Sequence, residues 1–278
     1  MQHIGVLYNP LSEASIKVSE EVAAWLKLRG CTVWRGVSAG ARSDPPLPEN
    51  LELLVALGGD GTVLRAARLA FERTSIPVLP VALGTLNFLS DIGPDAIYEG
   101  LDLLLQGGGW RDERTLIEAE ICHHSGKHEE QLIALNEIVV ARGEINRVMV
   151  IDVELYGALL TSYHADGVIV ATATGSTAYA LAAGGPIIDP RSRSLALVSI
   201  ASHLSSLPSL VLDEDAKVTL RVRSRHQAAF ALDGRSPVPL YEGDEVRVWR
   251  SKKVCVFARV RPQQEFYSRI AGRLQRDV

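Results

Sequence analysis

The sequence Gly58-Gly59-Asp60-Gly61-Thr62 constrains the fold of this chain more than any other feature does. The apolar run 51–57 before it is typical of a buried strand, and residues 63–70 after it have a helical composition. The glycines let the backbone turn tightly, and the start of the helix presents unpaired N–H groups to an anion. The segment is therefore predicted to be a strand-to-helix turn that can bind phosphate.

Asp60 is unusual in such a turn, because a carboxylate repels phosphate unless a metal ion or a substrate hydroxyl lies between them. This favours a chemical role for Asp60. The alternative is a turn or cap residue, since Asp is common just before helices and tolerates unusual backbone angles. From this turn alone, both interpretations stay open.

A second turn of the same kind is predicted at Thr172-Ala173-Thr174-Gly175-Ser176-Thr177-Ala178-Tyr179. The apolar strand 168–171 precedes it, and residues 180–183 continue as a helix up to the stop signal Gly184-Gly185-Pro186. One Ser or Thr would suffice to cap this helix, so four hydroxyl side chains around one glycine indicate a bound ligand.

Together, the two turns resemble those of the NAD kinase family. The first is shared with diacylglycerol and sphingosine kinases and, in a related form, with phosphofructokinases, whereas the second is much more specific. With Asn136-Glu137, Asp166-Gly167 and Gly184-Gly185-Pro186, the chain is similar to bacterial NAD kinases from Ile4 to Gly234. The resemblance implies transfer of the γ-phosphoryl group of ATP, or of polyphosphate, to the 2′-hydroxyl of the adenosine ribose of NAD, which yields NADP.

Hydrophobic patterning predicts two kinds of domain. Strands alternate with helices over residues 1–108, which predicts an α/β domain with a doubly wound parallel sheet. Over residues 109–258 the pattern changes to strands of period two, which predicts a mostly antiparallel all-β domain. This alternation is seen at 149–155, 218–223, 246–249 and 254–257.

The C-terminal tail, residues 259–278, contains a predicted helix marked by Phe266, Ile270 and Leu274. The family resemblance implies that this tail packs back on the α/β domain. An active site between the two domains is expected, because a dinucleotide has two ends and closure around it excludes water.

The resemblance also assigns roles to single residues. A ribose hydroxyl is a weak nucleophile, so Asp60 is expected to orient it and to accept its proton. Asn136 and Glu137 resemble ligands of the nicotinamide-side ribose or amide, and Asp166 resembles the acidic residue that also holds the nicotinamide end. The implied ligands of the donor phosphates are Gly58, Gly59, Gly61 and Thr62. The implied ligands of NAD are Asp60, Gly61, Phe88, Asn136, Glu137, His164, Asp166, Thr177, Ala178 and Tyr179.

Structural alternatives stay open for several of these residues. Asn136-Glu137 could be the edge of a strand, Asp166-Gly167 a plain turn, and Tyr179 a core aromatic residue. Magnesium or another divalent metal is implied as the companion of the phosphate donor, and no side chain is predicted to be its direct ligand.

Residues 81–89 depart from the family pattern. Ala82 stands where NAD kinases usually have Asn, and Asn87 stands where they have Gly, so this loop resembles that of lipid kinases. A lipid kinase is therefore the strongest alternative, disfavoured because that family lacks the Thr172 to Tyr179 string and because the chain offers no basic amphipathic surface for membranes. A catalytically silent NADP-sensing protein is a second alternative, against which the intact Asp60 argues.

Composition and net charge limit the kinds of partner that the chain can bind and the cell compartment that suits it. A net charge of −4 gives no basic surface for nucleic acid. No apolar run approaches the ~18 residues of a membrane span, and no leader pattern opens the sequence. Cys31, Cys122 and Cys255 lie far apart and are predicted to be free thiols in a reducing cytoplasm. The resemblance implies a homodimer or homotetramer that binds NAD and ATP or polyphosphate.

Overall fold

The structure is a computed structural model of the 278-residue chain. It describes residues 1–38, 46–73, 76–84, 88–144, 147–202, 207–265, 267–268 and 272. The chain forms two compact units, of which the first contains Met1–Glu113 and Cys255–Val278 and the second contains Arg114–Val254. The sequence pattern predicts that the chain passes from one domain to the other after residue 108 and returns after residue 258. The positions of the predicted terminal helix, Phe266, Ile270 and Leu274, lie outside the described residues.

The first unit alternates strands and helices along the chain. Its elements are β1 (His3–Tyr8), α1 (Glu13–Leu28), β2 (Thr32–Val37), β3 (Leu53–Leu57), α2 (Asp60–Arg73), β4 (Val78–Val81) and α3 (Ile97–Leu105), with a 3-10 turn at Pro94–Ala96. The strands pair in parallel in the order β2-β1-β3-β4. Phe257 extends this parallel pairing on the other side of β4, opposite Val78.

The core of the first unit explains this arrangement. β3 is buried along its whole length, as expected for a central strand of a parallel sheet that is covered on both faces. Val22 and Leu26 of α1 pack with Ile4 and Val6 of β1 in one apolar cluster. Ser12 caps α1 by accepting the N–H of Ser15.

The second unit is built from antiparallel strands. The remaining strands of the chain are β5 (Trp110–Cys122), β6 (His128–Ala134), β7 (Glu137–Arg142), β8 (Met149–Leu155), β9 (Ala158–Ala165), β10 (Gly167–Thr172), β11 (Leu195–Ile200), β12 (Leu210–Leu212), β13 (Lys217–Val222), β14 (Ala228–Leu232), β15 (Val238–Leu240) and β16 (Glu245–Arg259). The short helix α4 is Tyr179–Ala182, and 3-10 turns lie at Gly175–Thr177 and Gln263–Glu265. The chain changes unit within β5 and again within β16.

One sheet of the second unit has the order β12-β11-β10-β7-β14-β15, and every neighbouring pair is antiparallel. In the other, β13 pairs with β8 and β16, and β8 pairs with β9. Side chains from both sheets form one apolar cluster that includes Val140, Val170, Leu220 and Phe230. The predicted fold class is therefore confirmed: a parallel α/β unit and a mostly antiparallel β unit. Within the described part of the chain, no helix is both long enough and apolar enough to cross a bilayer.

Candidate active site

The first glycine-rich turn has the predicted strand-turn-helix form: β3 ends at Leu57, and α2 begins within the turn, at Asp60. The N–H of Gly58 donates to the carbonyl of Val81 at 3.1 Å, and the N–H of Thr62 donates to the carbonyl of Gly59 at 2.9 Å. A backbone N–H group makes one such bond. The main-chain N–H groups of Gly58 and Thr62 are therefore already used within the turn, and their contacts with phosphate stay a prediction.

The glycines of this turn differ in what the protein requires of them. A Cβ atom at Gly58 would lie 2.5 Å from Oγ1 of Thr62, so packing within the chain explains this glycine. A Cβ atom at Gly59 or at Gly61 would meet no protein atom within 4 Å, and both residues are exposed. Packing in the described chain does not account for these two glycines, and both leave room for the close approach of a ligand.

The Asp60 carboxylate lies half-buried at the start of α2. Its Oδ1 atom accepts the N–H of Leu89 at 3.3 Å. Leu89 is buried, and Phe88 beside it is half-buried. The chain that follows β4 thus returns to the turn and contacts the carboxylate, which fixes one of its oxygens relative to the sheet.

The hydroxyl groups of the second turn mostly hold the turn itself together. Oγ1 of Thr172 donates to the carbonyl of Leu135 at 2.6 Å and accepts the N–H of Gly175 at 3.0 Å. The hydroxyl of Ser176 likewise donates to one main-chain carbonyl at 2.7 Å and accepts one main-chain N–H at 3.0 Å. Because both side chains are buried with donor and acceptor in use, they are structural rather than ligand-binding.

The other two hydroxyls also have partners in the protein. Arg114 donates to Oγ1 of Thr174 at 3.2 Å, and Oγ1 of Thr177 donates to the carbonyl of Thr174 at 3.1 Å. Thr177 is only half-buried, so its hydroxyl can still accept a bond from outside. Of the four hydroxyls, those of Thr172 and Ser176 are fully used within the turn, whereas those of Thr174 and Thr177 can still bond to a ligand.

The second turn packs directly on Asn136. A Cβ atom at Gly175 would lie 2.0 Å from the carbonyl oxygen of Asn136, a distance that only glycine permits. The N–H of Thr172 donates to the same carbonyl at 2.8 Å. The carboxyl of Glu137 accepts the N–H of Tyr179, which ties β7 to the start of α4. The structure thus brings Asn136 and Glu137 together with the predicted segment Thr177 to Tyr179.

Two buried side-chain oxygens in this group have no hydrogen-bond partner among the described residues. They are Oδ1 of Asn136 and Oε2 of Glu137, and both residues are more than nine-tenths buried. A buried polar atom without a hydrogen bond is costly, so such atoms in a native structure call for a ligand or another function. Tyr179 is exposed beside them, which excludes the alternative of a core aromatic residue.

Asp233 holds the Asn136-Glu137 segment in place, and sequence reasoning did not select it as a site residue. Its carboxylate accepts the N–H groups of Leu135, Asn136 and Glu137 at 2.8, 2.7 and 3.2 Å. Burial raises the pKa of Asp233, and these N–H groups offset part of the rise. Asp233 also has a φ of 46°. An acidic residue at a strand end, just before Gly234, was the available signal.

The pKa of Glu137 is strongly shifted. Burial, and then the neighbouring Asp233 carboxylate, raise the pKa of Glu137 from 4.5 to about 8, although the N–H of Tyr179 lowers it in part. Such a shift is characteristic of functional sites. A carboxyl group with a pKa of about 8 is mostly protonated, and therefore neutral, at pH 7.

The structure does not bring Asp166 and His164 to this group. In the β7–β10 pair, Glu137 lies opposite Ala171, whereas Asp166 precedes the other end of β10. At a rise of about 3.3 Å per residue, the two acidic residues are roughly 17 Å apart along the strand. One nicotinamide ring therefore cannot contact both side chains of the same chain, and the assignment of both to the nicotinamide end of NAD stays a prediction. Asp166 instead pairs with Arg142 at 3.1 Å.

Two further residues that the sequence analysis singled out have a defined position in the structure. His164 is exposed near the end of β9, opposite Val150. Ala82, the departure from the family pattern, is fully buried, and its N–H donates to the carbonyl of Ile92 at 3.0 Å. Asn87, which carries the lipid-kinase resemblance, lies outside the described residues. In the described ranges, no group of three or more His, Cys, Asp or Glu side chains is arranged to hold a metal ion.

Comparison with known proteins shows the family to which the chain belongs. Residues 42–109 match the family model of the ATP-NAD kinase N-terminal domain, and residues 135–260 match that of the ATP-NAD kinase C-terminal domain. The NAD kinase of Chloroflexus aurantiacus is 55% identical over 276 residues, which is 99% of this chain and 99% of that protein. The chain belongs to the NAD kinase family. The NAD kinase of Dehalococcoides mccartyi is 39% identical over 272 residues, covering 98% of this chain and 95% of that one.

Solved structures of NAD kinases show the same fold. Yeast NADH kinase in complex with NADH superposes with a TM-score of 0.83 at 25% identity, covering 94% of this chain and 84% of that one. An NAD kinase from Archaeoglobus fulgidus in complex with ATP gives a TM-score of 0.77 at 21% identity, covering 99% of each chain. The predicted family, fold and enzyme class are confirmed: the chain is an NAD kinase enzyme, a phosphotransferase acting on NAD.

Proposed function

We propose that the chain transfers the γ-phosphoryl group of ATP to the 2′-hydroxyl of the adenosine ribose of NAD, with Asp60 as the catalytic residue. The observation that carries this assignment is the half-buried Asp60 carboxylate at the start of α2, beside the open positions Gly59 and Gly61. ATP and NADH in the two related kinase structures support the choice of substrates.

Asp60 acts on the nucleophile. Its carboxylate accepts a hydrogen bond from the ribose 2′-hydroxyl and orients the oxygen in line with the γ-phosphorus. The 2′ oxygen then bonds to phosphorus, the bond from phosphorus to the β–γ bridging oxygen breaks, and ADP leaves. The proton passes to Asp60 late in the reaction.

The donor phosphates are assigned to Gly59 and Gly61 rather than to the whole turn. Both positions are exposed and open, and they lie at the start of a 14-residue helix, where N–H groups and the helix dipole favour an anion. Gly58 and Thr62 support this assignment only indirectly, by closing the turn with the hydrogen bonds described above.

The residues that hold NAD are assigned to the second turn and the segment packed on it. Asn136 Oδ1 and Glu137 Oε2 are buried polar atoms without partners in the described chain, and Thr177, Ala178 and Tyr179 lie on the same turn with part of their surface open. Together they offer an acceptor, a neutral acid and an aromatic face to a nucleoside. Asp166 and His164 are assigned to a part of NAD other than the part held by Asn136 and Glu137.

Magnesium fits this chain as a companion of the donor. Mg²⁺ is commonly bound through one or two carboxylates together with substrate phosphates, so a three-residue protein cage is not required. Asp60, half-buried beside the proposed phosphate positions, would be the carboxylate that contributes to such a site. When bound, the metal would neutralise charge on the phosphate oxygens.

One assay tests the proposal. Purified protein is incubated with Mg²⁺, ATP and NAD, and NADP is measured with an NADP-specific dehydrogenase. We expect NADP formation that depends on all three additions. Parallel reactions with NADH, polyphosphate or diacylglycerol determine the acceptor and donor. Phosphorylation of diacylglycerol without NADP formation would reject the proposal in favour of a lipid kinase.

We also infer a cytoplasmic enzyme that assembles as a homodimer or homotetramer. None of the three cysteines, Cys31, Cys122 and Cys255, is in a disulfide, which is consistent with a reducing compartment. Light scattering coupled to size-exclusion chromatography measures the assembly state. A mass equal to one chain at micromolar concentration would contradict the oligomer.

A further inference from the structure

A buried ion cluster lies at the end of β16 in the first unit. The guanidinium of Arg259 contacts Asp112 through Nε at 2.9 Å and Asp91 through Nη1 at 3.0 Å. All three side chains are more than nine-tenths buried. Arg259 stands at the end of the apolar run 254–258, where a charged residue is unexpected.

The cluster is connected to the Asp60 carboxylate through one residue. Nη1 of Arg259 also donates to the carbonyl of Leu89 at 2.7 Å, and the N–H of Leu89 donates to Oδ1 of Asp60 at 3.3 Å. The main chain of Leu89 is thus held on one side by the guanidinium and contacts the catalytic carboxylate on the other. These contacts join residues that are 170 positions apart in the chain.

The guanidinium is itself fixed in direction. Two carboxylates hold its planar fork, and its carbon lies 4.6 Å from the centre of the Phe257 ring. Burial lowers the pKa of Arg259, but the carboxylates of Asp91 and Asp112 outweigh this and raise it, so the cation is retained. The Leu89 carbonyl therefore meets a charged donor with little freedom to move.

Stability alone is a weak explanation for such a cluster. Burying charges carries a desolvation cost that often cancels the attraction between them, and apolar side chains of similar volume commonly serve as well. An arginine that orients a neighbouring main-chain segment has a use that an apolar residue cannot supply. A displacement of about 1 Å at a catalytic group can cost roughly 100-fold in rate.

We propose that Arg259 is a positioning residue for the Asp60 carboxylate and acts through the main chain of Leu89. This inference rests on the proposed role of Asp60 in the transfer of phosphate to NAD. Arg259 touches neither substrate in this account. Its effect is on the orientation of the carboxylate, and so on the chemical step rather than on substrate affinity.

The first experiment compares kcat with KM in full-length variants. Arg259→Met and Arg259→Lys are expected to lower kcat by about tenfold or more, and to change KM for NAD by less than about threefold. Arg29→Met is the matched control, because Arg29 lies in the same unit, pairs with Asp102 at 3.0 Å and covers the Trp25 ring at 3.4 Å. It should leave kcat unchanged. An equal fall in the control, or a rise in KM with kcat intact, would overturn the proposal.

The second experiment is a double-mutant cycle with Asp60→Asn. If Arg259 acts through Asp60, Arg259→Met changes the residual turnover of Asp60→Asn by less than about twofold. The same loss in both backgrounds would show a general structural effect and reject the inference. Wild-type protein is measured in the same assay. If it forms no NADP, the proposed function itself is rejected; if it does, the variants test only the role of Arg259.

A milder variant keeps the test decisive if removal of the cation prevents folding. Asp112→Asn leaves Arg259 with Asp91 and with Leu89 but releases one side of the fork. It is expected to lower kcat without raising KM for NAD, and to lose this effect in the Asp60→Asn background. Circular dichroism and thermal unfolding establish that the variant is folded. Unchanged kcat in a folded Asp112→Asn protein would contradict the proposal.

Discussion

The carboxylate of Asp233 accepts the backbone N–H of Asn136 at 2.7 Å, although 97 positions separate the two residues in the chain. This bond ties the end of β14 to the start of β7. It also places a second carboxylate beside Glu137, whose pKa it helps to raise. The main chain that carries the buried oxygens Asn136 Oδ1 and Glu137 Oε2 is thus held in place before any substrate binds, which lowers the cost of ordering it.

Replacing Asp60 by Asn tests the catalytic assignment. An amide can still orient a hydroxyl but cannot accept its proton, so we expect turnover to fall by about 100-fold or more. Affinity for NAD should stay close to that of the wild type when it is measured by isothermal titration calorimetry. Asp95→Asn, at an exposed position of the 3-10 turn before α3, is the matched control. Normal turnover by Asp60→Asn would remove this residue from the mechanism.

Gly61→Ala tests the proposed phosphate position. No protein atom lies within 4 Å of a Cβ at this site, so folding should be unaffected or improved by at most about 1 kcal/mol, since Ala favours helices over Gly. A methyl group there would instead obstruct the donor. We expect KM for ATP to rise by about tenfold, the scale of one lost charge-assisted hydrogen bond.

Gly93→Ala is the control for this prediction. Gly93 lies in the same unit and has a φ of −102°, and a Cβ atom added there would also meet no protein atom within 4 Å. The KM of this variant for ATP should not change. If Gly61→Ala and Gly93→Ala have the same KM for ATP, the phosphates do not lie at the start of α2.

The sequence predicts the fold well because its signals are local. Alternation of buried strands with helices is enough to predict the parallel sheet, and the glycines of 58–61 are enough to predict the turn after β3. The position of Asp60 at the start of α2 follows from the same pattern. These features depend on neighbouring residues in the chain, for which spacing and composition carry the information.

The site is predicted less completely, because it depends on pairings that are distant in sequence. The hydroxyl of Thr172 is indistinguishable in sequence from a ligand group, and only the position of the Leu135 carbonyl shows its structural use. The separation of Asp166 from Glu137 follows from the register of β7 and β10. Likewise, no local pattern connects Arg259 with Leu89.

Thr172→Val tests the structural role of this hydroxyl. The substitution keeps the shape of the side chain but leaves the carbonyl of Leu135 and the N–H of Gly175 without their partner. Unsatisfied buried groups cost about 1–3 kcal/mol each, so we expect a loss of about 2–6 kcal/mol in the free energy of unfolding. Urea denaturation measures this quantity.

Thr172→Ser is the matched variant, because it keeps the hydroxyl and removes only a methyl group. It should lose about 1 kcal/mol. Equal stability of the Val and Ser variants, with weaker NAD binding in Thr172→Val alone, would instead make Thr172 a ligand-binding residue.

The raised pKa of Glu137 predicts how stability depends on pH. Below pH 4.5 the carboxyl is protonated in the folded and the unfolded chain alike. Between that value and about 8, the folded chain keeps the proton and the unfolded chain loses it, so the free energy of unfolding falls as pH rises. At about 1.4 kcal/mol per pKa unit, this contribution amounts to at most about 5 kcal/mol.

Glu137→Gln isolates this contribution, because its side chain is neutral at every pH. Urea denaturation at pH 5, 6, 7 and 8 should show the wild type losing stability relative to the variant as pH rises through this range. Glu99→Gln, at an exposed position of α3, should instead follow the wild type at each pH. Parallel curves for wild type and Glu137→Gln would mean that Glu137 is ionised in the folded chain. In that case the neutral acid assigned to the NAD site would have to be replaced by a carboxylate.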